Sequence, residues 1–210
     1  MENPVIIAGA NAIGKAALEI FNSNNVIVYG FLDDDEKLHG TLINEMTVFG
    51  SLEDETYSKL IGSKCDVFVA TDEISVRKYA TDTIVEENKA MPVNAIHNKA
   101  HIAETAHIGH GNFFNAGSVI NANTKIGNHC LIHSGAIIDI SAEIGNFVHI
   151  GTGSNISASA IIEDEVFIGA GVTVVGGIKV GKGARLGAGS IVIADVPEGA
   201  TVFGNPAKEV

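Results

Sequence analysis

The sequence predicts a small α/β domain followed by a parallel β-solenoid, and two observations carry that expectation. Before about residue 93, short apolar runs alternate with polar segments that suit helices. Beyond residue 100 the helical pattern stops, and an aliphatic or aromatic residue recurs at every sixth position. No element of simple secondary structure has a period of six, since a helix repeats at 3.6 and a strand at 2.

The elements follow in order along the chain. "PVIIAGA", "NVIVYGFL", "MTVFGSL" and "DVFVAT" read as strands, with helices expected over residues 14–23 and 75–87. Buried strands joined by helices predict a parallel sheet of the half-Rossmann kind. This domain is assigned to residues 1–96. The repeat then runs through sixteen hexads from Ile102 to Val192 without a missed step, and the position four residues after each aliphatic is small or β-branched. Two inward positions per hexad suit one flat face of a narrow coil, and three faces close a turn of about 18 residues. The coil is assigned to residues 97–196, and a tail containing the "GNPAK" turn to residues 197–210. Glycines after the aliphatics, such as Gly145 and Gly169, are read as corner residues that need no Cβ.

Composition narrows the function classes. A formal net charge of −12, with no basic run, argues against nucleic acid and anionic membrane as partners. Cys65 and Cys130 lie far apart with no CxxC spacing, and the start "MENPVIIAGA" has no signal-peptide pattern, so a reduced, cytoplasmic protein is expected. His97, His101, His107 and His110 have no carboxylate or cysteine partner in a ligand spacing, and no metal site is assigned.

Two stretches of the front domain suit a ligand. "GANAIGK", residues 9–15, places glycines and a helix N-terminus after the first strand, an arrangement that favours phosphate. It is also an imperfect dinucleotide fingerprint, with Asn11 in place of the middle glycine, and a nicotinamide enzyme is a weaker alternative. "GFLDDD", residues 30–35, puts carboxylates at a strand's carboxyl end, where they either accept hydrogen bonds from a base or ribose or form a solvated acidic turn.

The hexads, the "GNPAK" ending and the α/β front end together resemble the left-handed β-helix acyltransferases. More narrowly, they are similar to the bacterial sugar acetyltransferases, which include sialic acid O-acetyltransferases and UDP-4-amino-sugar N-acetyltransferases. The resemblance implies a left-handed parallel β-helix, a homotrimer, acetyl-CoA bound between neighbouring β-helices, a sugar nucleotide held by the front domain, and a role in surface-glycan synthesis. It assigns Gly9, Asn11, Asp33 and Asp34 to the sugar nucleotide. His149, Gly169, Gly187, Ala188 and Lys208 fall to the cofactor, the glycine and alanine amides meeting the pantetheine arm and Lys208 or Lys182 the phosphates.

Two departures from the family pattern bear on chemistry. Ile13 stands where the family has a histidine before the last glycine of the loop. Asp139-Ile140-Ser141 stands where the family has Asp-His-Asp or Asp-His-Glu, so the usual general base is missing. Histidine titrates near neutral pH, and His133 and His149 are the candidate replacements, placed on adjacent coils where their side chains can share a cleft. The expected function is acetyl transfer to an amino or hydroxyl group of a nucleotide-linked or free sugar. The alternative is a catalytically inactive trimeric ligand-binding or scaffold relative.

Overall fold

The computed structural model describes residues 3–210 and divides into two compact units, one ending at Asn98 and the other running Lys99–Val210. The first unit contains β1 (Val5–Ala8), α1 (Ala12–Ser23), β2 (Val28–Leu32), β3 (Leu42–Ile43), β4 (Met46–Gly50), α2 (Glu55–Ser58), β5 (Asp66–Val69) and α3 (Ile74–Thr83). The sheet order is β3-β4-β2-β1-β5. Ile6, Ile7, Phe31, Val67 and Phe68 are fully buried, as strands covered on both faces require.

Local chemistry accounts for where the elements depart from expectation. Helix α1 begins at Ala12 because the Asn11 side chain accepts hydrogen bonds from the N–H groups of Ile13 and Gly14. The helix buries Ala17, Leu18, Ile20 and Phe21, and Phe21 meets Phe68 edge-on at 6.0 Å. Helix α3 stops at Thr83 and widens into a π turn, Ile84–Asn88, that Lys89 closes in the left-handed region. The sheet is not wholly parallel: β3 and β4 form an antiparallel hairpin. Asn44 and Glu45 both take positive φ, as a two-residue hairpin turn demands, and the usual Asn-Gly signal is absent.

The second unit is a left-handed parallel β-helix. Its first face is built from His101–Ile102, Val119–Ile120, Ile137–Ile138, Asn155–Ile156, Thr173–Val174 and Ile191–Val192. The second runs from His107–Ile108 through Lys125–Ile126, Glu143–Ile144 and Ile161–Ile162 to Lys179–Val180. The third carries Phe113–Phe114, Leu131–Ile132, His149–Ile150, Phe167–Ile168, Arg185–Leu186 and Thr201–Gly204. Paired residues such as Ile120 and Ile138, or Ile132 and Ile150, stand 18 positions apart, so one coil is three hexads.

The inward aliphatics stack into one core, with Ile120, Ile132, Ile138, Ile150, Ile168 and Leu186 at 0% exposure. The second inward position is buried too, and where it is polar its side chain satisfies backbone groups of an adjacent turn. Asn112 accepts from Cys130 N–H and donates to Gly127 O, and Ser154 donates to Gly169 O at 2.8 Å and accepts from Val172 N–H.

The corners correct the expected role of the glycines. Gly145 and Gly169 are not among the positive-φ residues; they are needed because a Cβ there would run into the next coil, 2.5 Å from Asp164 Oδ1 and 2.7 Å from Ala188 N respectively. The left-handed corner positions hold Gly135, Gly153, Gly171 and Gly189, but also Asn123, His129, Ser141, Phe147, Ser159 and Glu165. Phe147 therefore sits at a corner, stacked on the buried His129 at 4.9 Å, and Phe113 is fully buried. The segment expected as a tail extends the coil: Thr201–Gly204 pairs with Arg185–Leu186, and the chain reverses at Asn205-Pro206 into an antiparallel strand, Ala207–Glu209. Among the described residues no helix is long and apolar enough to cross a membrane.

Candidate functional site

On the third face of the β-helix, the outward positions before and after each inward aliphatic form two parallel columns. The first reads Leu131, His149, Phe167 and Arg185; the second reads His133, Gly151, Gly169, Gly187 and Phe203. In the first column His149, Phe167 and Arg185 pack in sequence: the His149 ring lies between Phe167 and, from the second column, His133, each at a ring-centroid distance of 4.7 Å, and the Arg185 guanidinium sits 4.6 Å over the Phe167 ring. His133 meets the buried Phe113 edge-on at 5.8 Å. The structure thus brings together the two histidines that the sequence singled out, in contact.

Beside these rings the second column is glycine on three successive coils, Gly151, Gly169 and Gly187. Each is held to glycine by close approach of the following coil, a Cβ meeting Ala170 N, Ala188 N or Phe203 Cβ at 2.7 Å. The expectation that Gly169 and Gly187 donate amides to a cofactor is not met: these N–H groups donate to Leu186 O and Val202 O within the coil. The N–H groups that the coil leaves uncommitted lie one residue further on, at the corner, where Ala170 and Ala188 are exposed. Ala188 keeps its place as a candidate donor, and Ala170 joins it. The regular 18-residue register between Ala170 and Ala188 could have revealed it from the sequence.

Lys208 faces Phe203 on the terminal strand and is exposed. Four strand spacings separate it from His149, which is about 19 Å at roughly 4.8 Å per strand. Lys182 lies instead at the corner between the second and third faces, 3.5 Å from Glu165. Ile140, which stands where the resemblance implied a histidine base, is half exposed at the corner between first and second faces. Its N–H donates to Asp139 Oδ1, which also accepts from Asn121.

In the first unit, a cavity of about 240 Å³ is lined by Gly9, Asn11, Leu32, Asp33, Asp34 and Thr71, with apolar walls from Leu52, Val69 and Val76. The predicted residues converge here, but several are already engaged. Asn11 caps α1 and donates to Ala70 O at 2.6 Å, so two helix N-terminal amides that could meet a phosphate are taken by its own oxygen. Asp33 accepts from Ala10 N–H at 2.7 Å and from Asp35 N–H at 2.9 Å, and thereby ties the first loop to the end of β2. Asp34, exposed and oriented by the Ser51 hydroxyl at 2.6 Å, remains open to a ligand. Gly9 takes φ +121 and abuts Ala70 O, leaving no space for a side chain. Among the described residues no group of three or more His, Cys, Asp and Glu is placed to hold a metal ion.

Comparison with known proteins agrees with this geometry. The six-repeat hexapeptide of bacterial transferases matches residues 105–139 and 159–194, and the hexapeptide repeat of succinyl-transferase matches residues 123–158. A search of curated proteins finds no significant match. Among solved structures, perosamine N-acetyltransferase PerB from Caulobacter crescentus, in complex with CoA and GDP-perosamine, is 26% identical with a TM-score of 0.90, covering 100% of this chain and 98% of that one. The acetyltransferase domain of PglB from Neisseria gonorrhoeae, in complex with acetyl coenzyme A, is 26% identical with a TM-score of 0.91 and full coverage of both chains. WeeI from Acinetobacter baumannii is 25% identical with a TM-score of 0.85, covering 99% of each chain. The repeats and the fold are those of a hexapeptide transferase, and the chain is similar over its whole length to these sugar acetyltransferase structures.

Proposed function

We propose that this protein transfers the acetyl group of acetyl-CoA to an amino or hydroxyl group of a nucleotide-linked sugar, in surface-glycan synthesis. The observation that carries the reading is the contacting pair His133 and His149 at the head of a column of three glycines. A pantetheine arm laid along that column would meet the N–H groups of Ala170 and Ala188, which the coil leaves uncommitted. The arm spans roughly 18 Å when extended, by bond lengths, which matches the separation of Lys208 from His149 and supports the lysine as the contact to the CoA phosphates. The acceptor's base or ribose occupies the cavity beside Asp34, with Gly9, Asn11 and Asp33 shaping its wall.

In this reading the acceptor nitrogen or oxygen attacks the thioester carbonyl carbon, a C–N or C–O bond forms, and the carbonyl becomes an oxyanion. His149, with His133 beside it, takes the acceptor's proton. The C–S bond then breaks, and the proton passes to the leaving CoA thiolate, so that acetylated sugar and CoA thiol are the products. Exposed apolar groups on or beside the first face, Ile137, Ile140, Val175 and Ile193, support assembly into a homotrimer, and the cytoplasm is the compartment that supplies acetyl-CoA.

The test is thiol release from acetyl-CoA with a panel of UDP- and GDP-linked amino sugars. Turnover with one of them, lowered at least 100-fold in His149→Ala, is the expected result. Binding of acetyl-CoA without acyl product from any acceptor would favour the scaffold alternative.

A further inference from the structure

The Arg185 guanidinium lies on one face of the Phe167 ring, and His149 meets that ring from the preceding coil, so the three side chains stack along the coil axis. An aromatic face attracts a cation, and a protonated His149 on Phe167 would gain from that attraction. Arg185 already supplies the ring with a positive charge, at most about 9 Å from the His149 ring. We propose that Arg185 is a positioning residue that acts through Phe167 to keep the His149 imidazole in its neutral, proton-accepting form.

Titratable groups on the adjoining strand and corners include His133, His129 and Glu165. His133, on the adjoining strand in ring contact, penalises a second proton on the pair. His129 sits at the preceding corner against Phe147. Glu165, at the next corner, is 3.5 Å from Lys182 and is partly neutralised by it. The value of a neutral His149 to acetyl transfer rests on the function proposed above, but the charge relation itself needs no turnover.

The experiment is an NMR titration of the histidine Cε1–H resonances in the intact protein, comparing wild type with Arg185→Met, Arg185→Gln and Arg185→Lys. Two charges about 9 Å apart in surroundings between protein and water interact by enough to move a titration midpoint by roughly 0.3–1 pH unit. The expected result is an upward shift of that size at His149 in both Arg185→Met and Arg185→Gln, with Arg185→Lys near wild type. In 1 M salt, where the Debye length falls to about 3 Å, the gap between wild type and Arg185→Met should narrow. Equal midpoints in wild type and the neutral variants, or Arg185→Lys following Arg185→Met, would overturn the proposal. Failure to bind acetyl-CoA would instead count against the transferase reading and leave this titration result standing by itself.

Discussion

Ser154 offers a sharp test of how the coil satisfies its buried backbone. Its side chain is at 0% exposure, its hydroxyl donates to Gly169 O at 2.8 Å, and its oxygen accepts from Val172 N–H at 3.2 Å. In Ser154→Ala a buried N–H and a buried carbonyl lose their partner together, and water cannot reach either. At about 1–3 kcal/mol for each unsatisfied group, and allowing for partial relaxation, the expected destabilisation is about 2–4 kcal/mol. With a urea slope near 3 kcal/mol/M, that moves the unfolding midpoint down by roughly 1 M. Urea unfolding followed by circular dichroism at one fixed protein concentration measures it, with exposed Asn155→Ala as the control expected within about 0.5 kcal/mol of wild type. A Ser154→Ala midpoint indistinguishable from the control's would refute the reasoning.

Three further expectations rest on single contacts. Gly169→Ala drives a Cβ to 2.7 Å from Ala188 N, so it should lower the melting temperature and weaken acetyl-CoA binding together, by about 1–3 kcal/mol in stability. Asn11→Ala removes the cap of α1 and the bond to Ala70 O, and thermal unfolding should show a loss of about 1–2 kcal/mol with the β-helix intact. The Glu163 carboxyl, held by the Lys179 ammonium at 2.7 Å and then by the Lys182 N–H, titrates below the usual carboxylate range. Its contribution is therefore present above the unfolded glutamate value of about 4.3 and is lost as pH falls through the folded value; carbon-detected NMR should find the Glu163 midpoint raised in Lys179→Met.

The two units differ in how plainly their sequences announce them. In the coil, each inward position is occupied by a side chain whose type depends only on its place in the hexad, so Ile120 through Val192 could be assigned by counting. Outward neighbours then follow, which is why His133 and His149 could be placed on adjacent coils before any coordinates. Backbone commitment could not be read in the same way. Gly169 and Gly187 look like donors in the sequence, but their amides complete the inter-coil ladder, and the open amides belong to Ala170 and Ala188. Positive φ at His129, Phe147 and Glu165 is equally hidden, since nothing in those side chains favours the left-handed region over its alternatives. In the front domain the hairpin at Asn44 and Glu45 lacks a glycine, and Asn11 reads as a ligand residue until its oxygen is seen to cap the helix beside it.

The base is where this chain parts from the family pattern. Ile140 accepts no proton, and the pair on the third face is the arrangement that replaces it in this account. The central claim is that this face binds acetyl-CoA and that the pair serves the transfer. Calorimetric titration of the purified protein with acetyl-CoA, in wild type and in the His133→Ala, His149→Ala double variant, tests it most directly. Wild type should show one site per chain of roughly micromolar affinity, and the double variant a clear loss of affinity. Absence of binding in wild type, or equal binding in both proteins, would contradict it.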